Sequence, residues 1–292
     1  MRVTQSMIYD AATGSLSNQM SGMQSVTEKI SSSKQLNRPS DNPADVRAAV
    51  GLHDTLAELN QYVRNIGTAT NTLTAMDTAL SSAGDLIQRA NELAIQGANG
   101  SLSPSDRQSI AAEVAQLTEA MAQDAGAKVG DRYVFSGFRV DRAPFQIAGP
   151  GQVGPYQGDN GQVIARIGPA TTLQISMAGD AVFQPAITAL TQLQADLNSG
   201  QAVQASTITQ ISNALDTLSQ AQATVGAREN RLSDAKSAQQ DMITSNQAML
   251  SQLEDANLPA AITELTQRQT TYQASLAVTA KVMQTSLIDY LR

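Results

Sequence analysis

The chain reads as a mainly α protein with a small β domain inserted (α+β). Paired N- and C-terminal helices flank a bundle of long helices, and the β domain sits between the two helical halves. Three observations predict this. Apolar residues recur at helical spacing at both chain ends. A seven-residue apolar repeat runs through residues 52–94 and returns over 208–253. Short alternating segments with turn signals, and every phenylalanine, fall between residues 132 and 185.

Composition fits long helices better than a large globular core. Of 292 residues only 15% are charged and 3% aromatic, with no Trp; ordinary soluble domains carry roughly 25% charged residues. Outer helix faces poor in charge suit contact with other protein. A net charge of −7 offers no basic stripe for phosphates, so no nucleic-acid partner is expected. No apolar run reaches the ~18 to 20 residues that span a bilayer, so no membrane insertion is expected. The opening Met1-Arg2-Val3-Thr4-Gln5-Ser6-Met7 lacks the apolar region of a cleaved leader. Without cysteine, disulfides and thiolate metal sites are excluded. These signals alone point to the cytoplasm.

The first segment, 1–42, reads as a helix whose stripe is Leu16, Met23, Val26 and Ile30. It ends at Asn37-Arg38-Pro39-Ser40-Asp41-Asn42-Pro43, because two prolines four apart cannot both lie inside one regular helix. Asn42 caps the next helix, with Pro43 at its first position and Asp45 three residues on. Residues 43–131 then form a long helix and a hairpin. Leu52, Leu59, Ile66, Leu73, Leu80 and Ile87 fall every seventh residue, with Leu56 and Val63 as companions. Those companions become Thr70, Asp77 and Gly84, which predicts a seam that loosens. Gly97–Ser101 breaks the helix, and Ser103-Pro104-Ser105-Asp106 restarts it with a capping box.

Residues 132–185 form the β domain, with strands near Tyr133-Val134-Phe135, Phe145-Gln146-Ile147, Val163–Ile167 and Leu173–Met177. Its small core calls on the phenylalanines between 135 and 183. Helix returns over 186–257, where Ile211, Leu218, Val225 and Leu232 are seven apart. Gln222, Glu229, Gln239 and Asn246 weaken that seam. Pro259 marks an interruption with Asn257 or Asp255 as the new cap, and 258–292 is the last helix. Its stripe is Ile262, Leu265, Tyr272, Leu276, Met283, Leu287 and Leu291.

Catalytic, cofactor and metal sites find no support. Gly149-Pro150-Gly151-Gln152-Val153-Gly154 has the spacing of a nucleotide loop but opens no helix and holds a proline where amides should face phosphate. His53 is the only histidine and reads as an exposed or half-buried helix residue. Asp159-Asn160-Gly161 reads as a turn rather than a calcium loop, since the later ligands are missing. Glu254-Asp255 fits capping and solvation at the kink, and turn and cap explain Asp41 and Asp45. The candidate site is therefore an interface. Two terminal stripes pairing with each other leave Met7, Ile8, Met20 and Val278 uncovered, and each exposed side chain forgoes ~1.5–3 kcal/mol of burial. A protein partner is implied.

Several blocks resemble the flagellin superfamily and, within it, the hook-associated protein 3 family of hook–filament junction proteins. They are Met1-Arg2-Val3-Thr4 with Met7, then Ser31–Pro43, then Gly130-Asp131-Arg132-Tyr133-Val134-Phe135-Ser136-Gly137. Ala143-Pro144-Phe145, Tyr156-Gln157-Gly158-Asp159 and Val225–Leu232 are also similar. So are Ala260–Leu265, Tyr272–Leu276 and Ser286–Leu291. Ser33 stands where the family usually has Gly, and Asn42 where Asp is common. The resemblance implies an axial adaptor with hook-associated protein 1 and flagellin subunits as partners, and copies of itself in a ring. It also implies paired terminal helices lining an inner tube, a β domain projecting outward, and an export chaperone. Secretion would pass through the flagellar type III apparatus, which reverses the cytoplasmic expectation. Filament flagellin is the nearest alternative. A coiled-coil signalling or secretion-tip protein follows, and an enzyme is the weakest reading.

Overall fold

The computed structural model describes residues 5–290 and, within them, the side chains of Met7 and residues 9–281. Its helices are α1 (Gln5–Ser32), α2 (Pro43–Gly97), α3 (Pro104–Ala125), α4 (Gly179–Asn198), α5 (Ala205–Glu254) and α6 (Leu258–Tyr290). The chain divides into two compact units. One takes in Met1–Glu58 and Met242–Arg292, the other Leu59–Asp241.

In the second unit, α2 through α5 share one apolar core. On α2 the residues spaced by seven are sealed from solvent: Leu59, Ile66, Leu73, Leu80 and Ile87 are buried. Of the expected companions Leu56 is buried, but from Val63 onward the companions differ from the expected ones. Tyr62, Ala69, Met76, Ala83 and Ala90, each three residues on from a seam residue, are buried too. Val63, Thr70, Asp77 and Gly84 only flank the seam, half-buried. The seam therefore does not loosen. Its companions are small at Ala69, Ala83 and Ala90 and large at Tyr62 and Met76, and the small positions leave room for neighbouring helices to pack closely. Leu52 is half-buried and lies outside this core. Helix α5 follows the same rule, with Ile211, Leu218, Val225 and Leu232 buried and Ala214 and Ala221 between them. The next seam residue, Gln239, is also buried, and its amide donates to the Ile167 carbonyl at 3.3 Å.

Helix α3 folds back on α2 as the sequence suggests. Ser103 and Asp106 form the reciprocal capping box. Arg89 reaches Glu113 at 2.8 Å across the hairpin. Buried Arg107 donates to the carbonyls of Gly97 and Asn99 at the end of α2 and of Gln201 in the link between α4 and α5, satisfying backbone acceptors in both. Helix α4 begins at Gly179, seven residues before the expected start, and carries Pro185 inside it. Tertiary contact outweighs the proline here. The Gly179 amide donates to the Phe135 carbonyl at 2.8 Å, and the Phe183 ring stands edge-on to Phe135 at 4.8 Å.

The inserted β segment consists of three two-stranded antiparallel ribbons. They are β1 (Lys128–Val129) with β2 (Arg132–Tyr133), β3 (Ile147–Gly149) with β4 (Gln152–Val153), and β5 (Ile164–Arg166) with β6 (Thr172–Gln174). Val134, Phe135, Phe145, Ile167 and Leu173 join the helical core rather than forming one of their own. Phe138 is the exception among the phenylalanines, at 65% exposed. The Gly149–Gly154 stretch is the turn of the β3–β4 ribbon, with Gly151 at φ +69°. Asp159 organises a turn instead of a strand pair. Its carboxylate accepts from the amides of Phe138 and Gly161, both at 2.8 Å, and these bonds hold its pKa below the usual carboxylate value. Gly137 must be glycine there, because its φ is +67° and a Cβ would lie 2.2 Å from the Asp159 carbonyl.

Candidate assembly interface

The first unit is built by the pairing of α1 with α6. The Gln19 amide donates to the Ser275 hydroxyl at 3.0 Å, and the Ala256 amide donates to the Ser33 carbonyl at 3.0 Å. These contacts fix an antiparallel pair. Its α1 face is Ala12, Leu16, Gln19, Met23, Val26 and Ile30, at alternating steps of four and three. Val26 is 3% exposed and the others are half-buried. Its α6 face is smaller and more polar: Ala261, Leu265, Tyr272, Ser275 and Thr279 are half-buried. Gly22 lets the Arg268 guanidinium approach, since a Cβ there would meet it at 2.3 Å.

The sequence-derived stripes therefore divide. Leu16, Met23, Val26 and Ile30 meet α6, and Leu265 and Tyr272 meet α1. Ile262 and Leu276 do not line the pair as one continuous stripe with them. They are 53% and 43% exposed, on the outside. A helix of ~3.6 residues per turn carries residues at steps of three, four and seven on a face too wide for one narrow partner to cover. Met7, Met20 and Val278 are exposed, as the narrowness of the two stripes implies. The side chains of Ile8, Met283 and Leu287 lie outside the described residues, as does Leu291 altogether. The seam residues from Leu59 to Ile87 and from Ile211 to Leu232 belong to the other unit and serve its interior.

The outer faces are also short of charge. Between Asp10 and Glu28 α1 has no ionisable side chain, and α6 has none between Tyr272 and Lys281. The two linkers to the pair are more polar. Asp41 accepts from the amides of Asn37 and Arg38 at 3.0 and 2.9 Å, which lowers its pKa and fixes the turn. The Asn42 side chain caps α2 through the Ala44 amide at 3.1 Å, and Asn257 caps α6 through the Ala260 amide at 3.2 Å. Ser33 has φ +57°, which accounts for a position where glycine is the easier choice. Under these linkers lies Glu254, 7% exposed, which accepts from Lys34 and meets His53 Nε2 at 2.8 Å. The sequence predicts an exposed or half-buried helix residue at His53 and a capping or solvated carboxylate at Glu254, and the second expectation fails because Glu254 is buried between its partners. No local signal joins residues about two hundred positions apart.

Two family models match the chain. The bacterial flagellin N-terminal helical region covers residues 3–139, and the C-terminal helical region covers 208–291. Both ends and both long helices thus define a flagellin-type protein. Hook-associated protein 3 of Salmonella typhimurium is 29% identical over 184 residues, covering 63% of this chain and 57% of that protein. The Escherichia coli protein of the same name is 25% identical over 304 residues, covering 94% and 95%. A crystal structure of hook-associated protein 3 from Legionella pneumophila has the same fold, with TM-score 0.63 at 17% identity over 69% of this chain and 98% of that one. The chain belongs to the flagellin superfamily, and its sequence is similar to the hook-associated protein 3 relatives within it.

Proposed function

We propose that the chain is a structural adaptor of the bacterial flagellum, placed at the hook–filament junction and assembling through its paired terminal helices. The observation that carries this reading is the outer surface of the α1–α6 pair. It combines exposed Met7, Met20, Leu276 and Val278 with a near-absence of charge. Such a face forgoes burial in the isolated chain and recovers it against neighbours. Its partners are hook-associated protein 1 on one side, the first flagellin subunits on the other, and copies of itself in a ring. Met7, Met20, Ile262, Leu276 and Val278 on the outside of the pair act as the assembly surface, with Ile8, Met283, Leu287 and Leu291 joining them, while Leu16, Met23, Val26, Ile30, Leu265 and Tyr272 hold the pair together behind it. The chain leaves the cell through flagellar export, escorted beforehand by a chaperone, and performs no catalysis.

A strain lacking the protein tests this. The adaptor reading expects hooks to be built and flagellin monomers to appear in the medium. Hooks bearing the other hook-associated proteins, with no filament protein in the medium, would instead favour filament flagellin. That second reading has its own support, since both matching family models describe flagellin ends.

A further inference from the structure

We propose that Glu254 is the latch of a clasp that stitches together the two linkers of the terminal pair and fixes the direction in which α1 and α6 leave the head of α2. The inference rests on the proposed assembly role only for its use, since the clasp itself belongs to the isolated chain. The pair connects to the long helices through two links alone, residues 33–42 and 255–257. Short links of this kind, with a proline-containing turn and a capping Asn, would by themselves leave the pair free to swing. The structure closes them on each other. Lys34 and Asp255 form an isolated antiparallel bridge, and the Ala256 amide donates to the Ser33 carbonyl at 3.0 Å. The left-handed conformation of Ser33 turns the chain so that Lys34 can reach this bridge.

Glu254 lies beneath the bridge as the last residue of α5. One carboxylate oxygen takes the Lys34 ammonium from the first link, and the other meets His53 Nε2 of α2 at 2.8 Å. Three chain segments distant in sequence therefore converge on one carboxylate. A carboxylate at 7% exposure is tolerated only while its partners remain in place, so opening either link leaves it poorly paired. The neighbouring Asp255 does not compete, because its carboxylate takes the Ser251 hydroxyl. In a ring each copy must present its pair in the same direction, and the clasp supplies that direction before neighbours arrive.

Hydrogen–deuterium exchange on the full-length monomer tests the clasp directly. Glu254→Gln keeps the shape and removes the charge. It is expected to speed exchange at least tenfold over residues 19–35 and 256–275, and to leave residues 66–125 within twofold of the parent. Lys34→Met should reproduce the effect, and the double variant should add little to either single one, since both remove one interaction. Unchanged exchange at 19–35 and 256–275 in Glu254→Gln would overturn the proposal. So would fully additive effects in the double variant. If Glu254→Gln fails to fold, His53→Gln, with its side chain half exposed, keeps the test open, and no acceleration there would count against the latch. None of these outcomes depends on where the protein sits in the flagellum, which the deletion strain decides separately.

Discussion

The seam of α2 and the α1–α6 pair are written in the same heptad language and bury very different surfaces. Along α2, Ile66, Ala69, Leu73 and Met76 are each 0% exposed, and helices α3 to α5 close over them. Along α1, the same alternation of four and three reaches full burial only at Val26. Ten of the fourteen exposed large apolar side chains among the described residues belong to the unit that holds the pair, although it is the smaller one. Periodicity thus specifies that a face will be covered, and the number of helices available within the chain decides what covers it. Where four helices meet, the chain supplies its own cover. Where two meet, a wide apolar surface is left over.

The largest way to break this comparison is truncation from Tyr272 onward. We expect assembly to be abolished, while the far-ultraviolet dichroism and cooperative unfolding of the core enclosed by α2–α5 persist. Next, Leu73→Ala should cost about 2–5 kcal/mol in urea unfolding, because it opens a cavity in a seam that is sealed on all sides.

A smaller effect comes from pH. Lys34, chiefly, and His53 hold the Glu254 pKa below its ordinary 4.5. A depressed carboxylate contributes stability that is fully present above the unfolded value and lost as pH falls through the lower folded one. Acid titration of the monomer should therefore loosen the α1–α6 pair at pH below about 4.5, ahead of the helical core, and Glu254→Gln should remove that early phase.

The smallest effect concerns Asp124 on α3. Burial pushes its pKa up against a weaker opposing bond from Ser82, and its Oδ2 has no partner. A carboxyl raised in the fold costs stability at neutral pH, so Asp124→Asn should stabilise by under ~1 kcal/mol in thermal melts.

Much of the architecture was legible because it depends on local chemistry. Asn42 and Ser103 with Asp106 cap the helices they were expected to cap, and of the two candidates at the last helix it is Asn257, not Asp255, that caps it. The large seam residues stand out because Leu and Ile declare their burial. The small companions do not: Ala69, Ala83 and Ala90 are as comfortable on a solvated helix face as in a core, so only the neighbouring helices reveal their role. The early start of α4 was hidden by Pro185, a local rule overridden by the Phe135–Phe183 contact. On α6 the apolar pattern was visible, and its division was not. Which of Leu265 and Ile262 turns inward depends on the register set across the pair by Gln19 and Ser275. The Glu254 clasp was illegible for the same reason, since it joins three segments by tertiary contact alone.

The central claim is that the outer face of the terminal pair exists for neighbouring protein. Replacing Leu276 and Val278 together by Ser tests it most directly, with thermal unfolding of the monomer and filament formation in cells measured side by side. We predict an unchanged melting temperature with filaments lost from the hooks. A lowered melting temperature with filaments intact would mean that these side chains serve the monomer's own fold, and would contradict the account.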